Sequence, residues 1–478
     1  MFQLPRRRVR RAPWRPAAVA AAALALAGCA SFSPDGGFDR VATLTQERTG
    51  RTPARPRTPA EQDAVRARVD ALLQQPLGAD DAVEIALLQH PGLQARFADL
   101  AVAEADRVSA GRLRNPSFGF GRLREAGGTL EIERSVLFDL LGLLTLPLRS
   151  RLEQDRFEQS QLLLAQDAVG LAAQVRKAYY GAVAAQELAA AHERAKEAAD
   201  AASELARRMA EAGHLSALAR MREQAFQGDT TAQWARARHE AAVARERLVR
   251  ALGLSGAPPG FTLPARLPDL PAEPLAPSDV ERIAMAMRLD VLIARRDVEL
   301  SARALGSTQV TAGVDLLELE LRNKSTSGAP RADGFGLELE LPLFDVASKR
   351  TRAEASQARA RHRAAQVEVD ARSEVREAHA TYRMAYELAR RHRDELVPLR
   401  QRISEEQLLR YNGMLIGVFD LLADAREQVR SVAASIEALR DHWIAQTDLQ
   451  TALTGRSPGA GVSLRPAATA APADGNGH

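Results

Sequence analysis

Two blocks of this chain carry the same landmarks in the same order, at an offset near 200 residues. The matched landmarks are Asp81 and Asp279, Leu146-Pro147-Leu148 and Leu341-Pro342-Leu343, Val175-Arg176-Lys177-Ala178 and Val375-Arg376-Glu377-Ala378, Gly213 and Gly413, and Ala251-Leu252 and Ala452-Leu453. Such coincidences in one order indicate an internal repeat. The chain is therefore expected to fold as two copies of one unit, over residues 80–254 and 278–455. A proline-rich, non-helical linker at 255–277 joins them, and 456–478 is expected to be a disordered tail.

Each copy has the same predicted helices. A first helix covers 80–112 or 278–305, and Pro91 predicts a kink or break in the earlier one. A longer helix covers 148–211 or 347–411, and at 1.5 Å per residue it would extend for about 95 Å. Its alanine, leucine and valine residues recur among arginine and glutamate, which is typical of a coiled coil.

Each long helix is expected to end in a turn, at Gly213 or Gly413, after which a helix of about 40 residues returns. The first helix and the returning helix together roughly equal the long helix in length. Placed end to end, these two shorter helices could therefore run alongside it.

Alternating residues predict two strands in each copy. In the second copy, leucines alternate with charged residues over 317–322 and, after a turn at 325–334, over 337–341. In the first copy, the alternation covers 118–121 and 130–133, and 135–148 is almost continuously apolar. Strict alternation gives a strand one apolar face and one charged face.

Four strands cannot close a barrel alone, because about eight is the lower limit. Three chains would supply twelve strands to a shared transmembrane barrel, with leucines toward lipid and the glutamates toward water. These glutamates are Glu318, Glu320, Glu338 and Glu340. A soluble hairpin packed against the helices is the alternative interpretation.

Residues 1–28 have the features of a secretory signal peptide. Six arginines and no acidic residue are followed by an alanine-rich apolar stretch over 16–26, which is too short to span a bilayer. Leu26-Ala27-Gly28-Cys29 resembles a bacterial lipobox, in which the cysteine becomes the lipidated N-terminus. Ala30 at the next position favours the outer membrane, by resemblance to Gram-negative lipoproteins. A plain signal peptide with an incidental cysteine is the alternative.

Residues 29–79, rich in threonine, proline and arginine near 49–59, are expected to form an extended, lipidated tether. Without 1–28, the chain has 59 basic and 61 acidic residues, so it lacks the basic excess of a nucleic-acid binder. A single cysteine excludes a disulfide framework. The nine histidines have no metal-ligand spacing, and no motif indicates a cofactor or an enzyme.

Several motifs resemble those of the TolC-type outer-membrane efflux proteins, over about residues 80–455. They are Ala86-Leu87-Leu88-Gln89-His90-Pro91-Gly92-Leu93, Gly111-Arg112-Leu113-Arg114-Asn115-Pro116-Ser117, the two Leu-Pro-Leu segments, Tyr411-Asn412-Gly413 and Asp420-Leu421-Leu422. The resemblance implies a homotrimer with a twelve-stranded β-barrel in the outer membrane of a Gram-negative cell and a periplasmic α-barrel. It also implies a passive exit duct that works with a periplasmic adaptor protein and an inner-membrane transporter, and many members carry an N-terminal lipid.

The resemblance also implies two kinds of site. Asp420 and Asp424, one helical turn apart, would form acidic rings at the periplasmic gate; an exposed carboxylate pair is the alternative. The adaptor would dock at the two turns, Gly213-His214-Leu215 and Gly413-Met414-Leu415. The family pattern has its acidic residue six positions after the turn glycine, whereas Asp420 is seven after Gly413.

Two other functions are compatible with long hairpins. A periplasmic adaptor usually has one hairpin between β-rich halves, which the duplication argues against. A non-conducting, periplasm-spanning lipoprotein would lack a role for the alternating strands. The sequence leaves the exported compound open among metal ions, drugs and small organic molecules.

Overall fold

The structure, a computed structural model, describes residues 31–124, 126–255, 260–275 and 278–457. Its elements are α1 (Phe38–Thr49), α2 (Pro59–Leu73), α3 (Ala79–Gln89), α4 (Pro91–Ala110), β1 (Ser117–Arg124), β2 (Leu130–Asp139), α5 (Leu140–Glu211), α6 (Ala217–Leu252), α7 (Val280–Met287), α8 (Leu289–Thr311), β3 (Leu316–Thr326), β4 (Ala332–Glu340), α9 (Val346–Arg391), a π-helical turn (His392–Leu396), α10 (Val397–Asn412) and α11 (Val418–Thr454). The predicted signal peptide, Cys29 and the tail beyond residue 457 lie outside the described residues. Among the described helices, none combines the length and apolar character needed to cross a bilayer.

The chain divides into two compact units, and each repeat contributes to both. The strand unit contains residues 31–37, 99–160 and 296–362, and the helical unit contains 38–98, the described part of 161–295, and 363–457. The strand unit therefore includes all four strands, and the helical unit includes both hairpin tips.

The first helix of each repeat is broken at one residue. His90 separates α3 from α4 with extended backbone angles (φ −59°, ψ 119°), which confirms the break predicted at Pro91. Arg288 separates α7 from α8 in the same way (φ −72°, ψ 124°). The continuous helix predicted over 278–305 is therefore wrong. Arg288 is 1% exposed and bonded to Asp290 at 2.8 Å and to Glu374, so a buried ion-pair network accompanies this break.

Each returning helix ends against the break in the first helix of its own repeat. Gly253, after α6, has φ +72°, and a Cβ atom there would lie 2.8 Å from the Cα of His90. The carbonyl of Gly455, after α11, accepts a hydrogen bond from the Leu289 amide at 3.0 Å. The two shorter helices thus meet end to end in both repeats, as their lengths predict.

The segment after Cys29 is not the extended tether predicted for it, because α1 and α2 lie within it. Thr58 begins α2 with a capping box. Its side chain accepts from the Glu61 amide, and the Glu61 carboxylate accepts from the Thr58 amide, both at 3.2 Å. These bonds satisfy amides that the first turn leaves without partners, so the threonine- and proline-rich composition marks a helix start here.

The long helices also differ from the prediction. α5 begins at Leu140 rather than 148 and continues through Pro147. The second long helix is interrupted by the π-helical turn His392–Leu396, immediately before Val397-Pro398. Proline lacks an amide hydrogen and its ring crowds the carbonyl four residues earlier, which accounts for a wider turn at this point.

The described part of the linker, 260–275, contains neither helix nor strand and is bonded to four helices. Its backbone carbonyls accept hydrogen bonds from Gln186 of α5, Arg245 of α6, Tyr386 of α9 and Trp443 of α11. The linker has few amide hydrogens because it is rich in proline, so its carbonyls supply most of the contacts.

A fully buried histidine lies in the core of the helical unit. The ring of His442 lies 5.4 Å from Tyr382, 5.6 Å from Tyr386 and 5.2 Å from Trp443, measured between centroids. Burial lowers the pKa of His442 to about 4. Trp443 also stacks on Tyr180 at 5.3 Å, so it packs between α5 and the core of α9 and α11.

The four strands form one antiparallel sheet in the order β1-β2-β3-β4. β2 of the first repeat pairs with β3 of the second, with Val136 opposite Leu321. The sheet therefore joins the two repeats. The strands are longer than their alternating segments, and β2 includes part of the apolar stretch that the sequence leaves unassigned.

Candidate functional site

The turn between α5 and α6 uses Gly213 as its left-handed residue. Gly213 has φ +78°, and the next amide, of His214, donates to the Met209 carbonyl at 2.8 Å. Ser216 then caps α6, its side chain accepting from the Ala219 amide at 3.2 Å. The turn predicted at Gly213 is confirmed, with the backbone conformation that favours glycine.

The turn between α10 and α11 places its left-handed residue one position later than predicted. Gly413 has φ −80°, whereas Met414 has φ +58°. The Leu415 amide donates to the Arg410 carbonyl at 2.8 Å, the same bond that His214 makes in the first turn. Met414 is therefore the structural counterpart of Gly213.

This register places Asp420 six residues after the left-handed residue of its turn. Gly417 begins α11 as Ser216 begins α6, but it has no side chain. The Asp420 carboxylate accepts from the Gly417 amide at 3.1 Å. Asp420 is seven residues after Gly413 because the left-handed position of this turn is shifted by one residue. Counted from Met414, the spacing is six residues.

The two proposed gate residues have different surroundings. Asp420 is exposed at the start of α11, whereas Asp424 is 8% exposed. The carboxylate of Asp424 accepts a hydrogen bond from the Ser404 hydroxyl of α10 at 2.5 Å. Asp424 thus bonds the two helices of its own hairpin, and Asp420 presents its charge to solvent.

Apolar side chains are exposed at the second tip. Met414 is 93% exposed and Leu415 is 77% exposed. In the first tip, His214 is exposed and Leu215 is half-buried. Neighbouring exposed apolar residues extend the surface of both hairpins; they are Leu218, Met221, Leu408 and Leu409. Apolar side chains are therefore exposed at both tips.

An ion pair that the sequence does not predict joins the hairpins near their tips. Arg426 of α11 contacts Glu223 of α6, which is 5% exposed. The Arg426 guanidinium also lies over the Phe226 ring. The sequence contains many arginine and glutamate residues on these helices, and only the packing distinguishes this pair from the exposed ones.

The sheet register separates an apolar face from an acidic face. Phe118, Val136, Leu321 and Phe335 lie side by side on one face, with Phe118 and Phe335 77% and 79% exposed. On the other face, Asp139 lies beside Glu318, and Glu318 beside Glu338. The alternation predicted for the strands is confirmed.

Within the described ranges, no group of three or more histidine, cysteine, aspartate or glutamate side chains could hold a metal ion. The candidate site is therefore a set of surfaces: two hairpin tips, a carboxylate at one of them, and a two-faced sheet.

No family model and no curated relative matches the chain. Solved structures do match. The Campylobacter jejuni outer membrane channel CmeC is 15% identical, with 80% of this chain and 87% of that chain covered and a TM-score of 0.66. The open state of the Neisseria gonorrhoeae outer membrane channel MtrE is 17% identical, with 79% and 89% covered and a TM-score of 0.66.

The outer-membrane channel OprN covers still more of this chain. It is 20% identical, with 86% of this chain and 95% of that chain covered and a TM-score of 0.65. This chain has the TolC-type outer-membrane channel fold. In the TolC-type fold, the four strands of one chain are an open segment of sheet, and the two helical hairpins carry the tips described above.

Proposed function

We propose that this protein is the outer-membrane exit duct of a tripartite efflux pump in a Gram-negative cell. The observation that carries the proposal is the two-faced sheet within a TolC-type fold. Its apolar face has the exposed aromatic and aliphatic side chains that lipid accepts, and its opposite face has carboxylates suited to a water-filled lumen. The duct conducts passively and performs no chemistry.

Three copies of the chain assemble into the duct. One chain supplies four strands, and lipid allows no open sheet edge, so β1 and β4 must each pair with a neighbouring chain. A homotrimer closes the sheet with twelve strands. Because the diameter of a barrel grows with its strand number, twelve strands enclose a wider interior than the eight-stranded barrels that side chains fill.

The periplasmic end of the duct is gated at the tips of α10 and α11. Three copies of exposed Asp420 surround the passage and attract cations. The buried Asp424–Ser404 contact fixes the hairpin that presents Asp420. The Glu223–Arg426 pair holds the two hairpins of one chain together in the closed state.

A periplasmic adaptor protein docks on the tips and couples the duct to an inner-membrane transporter. The contact surface consists of the two turn segments, Gly213-His214-Leu215 and Gly413-Met414-Leu415. Exposed Met414 and Leu415 supply apolar area whose burial favours association.

A lipid on Cys29 anchors the N-terminus to the outer membrane. Two contacts hold the first described residues on α4 of the strand unit. The Ser33 amide donates to Glu104 at 2.7 Å, and Arg107 donates to the Ser31 carbonyl at 3.0 Å.

Conductance in a planar bilayer tests the duct. Purified wild-type protein is first shown to be a heat-modifiable trimer, and single insertions are then recorded beside a variant carrying Asp420→Ala and Asp424→Ala. A small cation-preferring conductance that rises in the variant supports duct and gate together. Equal conductance of both proteins supports the duct and contradicts the gate. Trimers that insert and do not conduct overturn the duct and favour the structural lipoprotein.

A further inference from the structure

A basic cavity of the strand unit is lined by α4, by the segment 112–115 that precedes β1, and by α5. It has a volume of about 740 Å³. Its charged lining consists of Arg112, Arg114, Arg149, Arg156, Asp106 and Glu153. Four guanidinium groups against two carboxylates give the lining a positive excess.

Arg149 contributes a charge that its hydrogen bonds do not neutralise. Its Nε donates to the Ala110 carbonyl at 3.1 Å, and one Nη donates to the Arg112 carbonyl at 2.9 Å. Both acceptors are neutral, so the guanidinium is held in place with its positive charge intact. By contrast, Arg156 pairs with Glu153, and Arg114 pairs with Asp139 at 3.2 Å.

The same cavity also has exposed apolar side chains. Phe32 is 56% exposed and Leu113 is 44% exposed, and both contribute to the lining. A soluble anion would use only the guanidinium groups. The combination of a fixed positive charge with exposed apolar surface fits an amphiphile that has an anionic headgroup and an acyl chain.

The position of the cavity along the chain agrees with such a ligand. Arg112 and Arg114 immediately precede β1, which begins at Ser117. If the sheet spans the membrane, as the proposed function requires, this end of β1 is at the membrane–water boundary. Phospholipid headgroups occupy that level.

A second cavity of the strand unit extends the basic lining into the other repeat. It has a volume of about 670 Å³, shares Arg114 and Arg149, and adds Lys349 and Arg352 of α9. Lys349 contacts Asp315 at 2.5 Å and 2.7 Å. Both repeats therefore place basic side chains near the ends of the strands. This is the arrangement expected where a protein faces a layer of lipid headgroups.

We propose that the cavity formed by α4, the segment 112–115 and α5 binds the headgroup of an anionic glycerophospholipid from the periplasmic leaflet of the outer membrane. The phosphate lies against Arg112 and Arg149, and the acyl chains extend along Phe32 and Leu113. This inference rests on the proposed membrane position of the sheet, and it adds a lipid ligand to it.

Native mass spectrometry of the purified full-length trimer tests the proposal. Delipidated protein is titrated with phosphatidylglycerol or with phosphatidylcholine, and bound copies are counted. Wild type is expected to prefer phosphatidylglycerol. A variant with Arg112→Gln and Arg149→Gln is expected to bind it about 25-fold more weakly, since each basic side chain near a headgroup contributes about a factor of five.

Two further variants make the result specific. Arg112→Lys with Arg149→Lys keeps both charges and is expected to retain most of the binding. Arg359→Gln with Arg361→Gln removes two exposed arginines of α9 outside the cavity and is expected to leave binding unchanged.

Three outcomes overturn the lipid site. The first is equal binding of both lipids, and the second is an equal loss of phosphatidylglycerol binding in the Arg359/Arg361 variant. The third is displacement of phosphatidylglycerol by excess inorganic phosphate, which indicates a site for soluble anions. Conductance of the same preparation separates this proposal from the duct. Conducting trimers without lipid preference contradict only the lipid site, whereas non-conducting trimers contradict the duct.

Discussion

Arg426 of α11 lies 2.9 Å from both carboxylate oxygens of Glu223 of α6. Its guanidinium carbon is 3.6 Å from the centroid of the Phe226 ring. The carboxylate is almost fully buried, so removing Arg426 leaves an acceptor that water does not reach. This contact joins the two hairpins of one chain close to their tips.

Arg426→Ala is expected to loosen the tips and to raise the single-channel conductance. The loss of the pair leaves the Glu223 carboxylate unpaired, at a cost of about 1–3 kcal/mol. The double variant Glu223→Gln with Arg426→Ala is expected to raise the conductance less than Arg426→Ala alone. Arg430→Ala is the control, because Arg430 makes an exposed pair with Glu427 one turn away. Equal conductance of the Arg426 and Arg430 variants would contradict a role in closure.

Gly213→Ala and Gly413→Ala are expected to differ, although both glycines lie at hairpin turns. At Gly213 an alanine must adopt φ +78°, which costs about 1–2 kcal/mol. At Gly413, φ is −80° and an added Cβ meets atoms at 3.5 Å or more. Hydrogen exchange of the His214 amide should therefore accelerate by about 5–30-fold in Gly213→Ala. The Leu415 amide should stay protected in Gly413→Ala, and loss of its protection would show that Gly413 is the strained position.

Asp420→Asn is expected to reduce the cation selectivity of the duct, by up to about fivefold in the permeability ratio. Asp424→Asn should change selectivity less, because its carboxylate is buried against Ser404. Reversal potentials in a salt gradient measure the ratio. Asp229→Asn, an exposed carboxylate farther along α6, is the control. A larger effect of Asp424→Asn would reverse the assignment of the two residues.

Buried His442 is expected to make the trimer less stable in acid. Its pKa is about 4 in the folded protein, against an ordinary value near 6.5, so the unfolded chain takes up the proton first as pH falls. The contribution of neutral His442 to the free energy of unfolding is complete above pH 6.5. As the pH falls toward 4, this free energy decreases by about 3 kcal/mol. His442→Gln should flatten the melting temperature over this window. His362→Gln, at an exposed position, should leave the pH dependence of the melting temperature unchanged. If the melting temperature of His442→Gln still fell with pH as in the wild type, His442 would not be the cause of the acid sensitivity.

Cys29→Ser is expected to abolish labelling by radioactive palmitate, because Cys29 is the single cysteine of the chain. The duct rests on strand pairing rather than on the lipid, so trimers of the variant should conduct normally. Ser31→Ala is the control and should label fully. Continued labelling of Cys29→Ser would show that the lipid is attached elsewhere, and an unlabelled wild type would show that the segment is a plain signal peptide.

The regular elements followed from residue patterns because those patterns are local. Leucine–glutamate alternation predicted the faces of β3 and β4, and Pro91 predicted the break at His90. The break at Arg288 could not be found in this way. It accompanies a buried guanidinium bonded to Asp290 and Glu374, and such a network depends on residues far apart in the chain.

The turn at Met414 did have a signal in the sequence. Ala251 and Ala452 are 201 residues apart, and the same offset matches Gly213 with Met414 rather than with Gly413. Gly413, next to Met414, obscured the match of Gly213 with Met414, since glycine is the residue expected at φ above zero. The Glu223–Arg426 contact had no comparable signal, because its partners are ordinary charged residues until the hairpins pack.

The one-residue difference between the two turns has a consequence for assembly symmetry. In the proposed trimer, six hairpins would form a ring and would alternate between a glycine turn and a methionine turn. A partner that binds this ring therefore meets two classes of contact in strict alternation, with three equivalent positions in each class. Identical adaptor subunits would occupy the more apolar class first, so the ring is expected to fill in two steps of three.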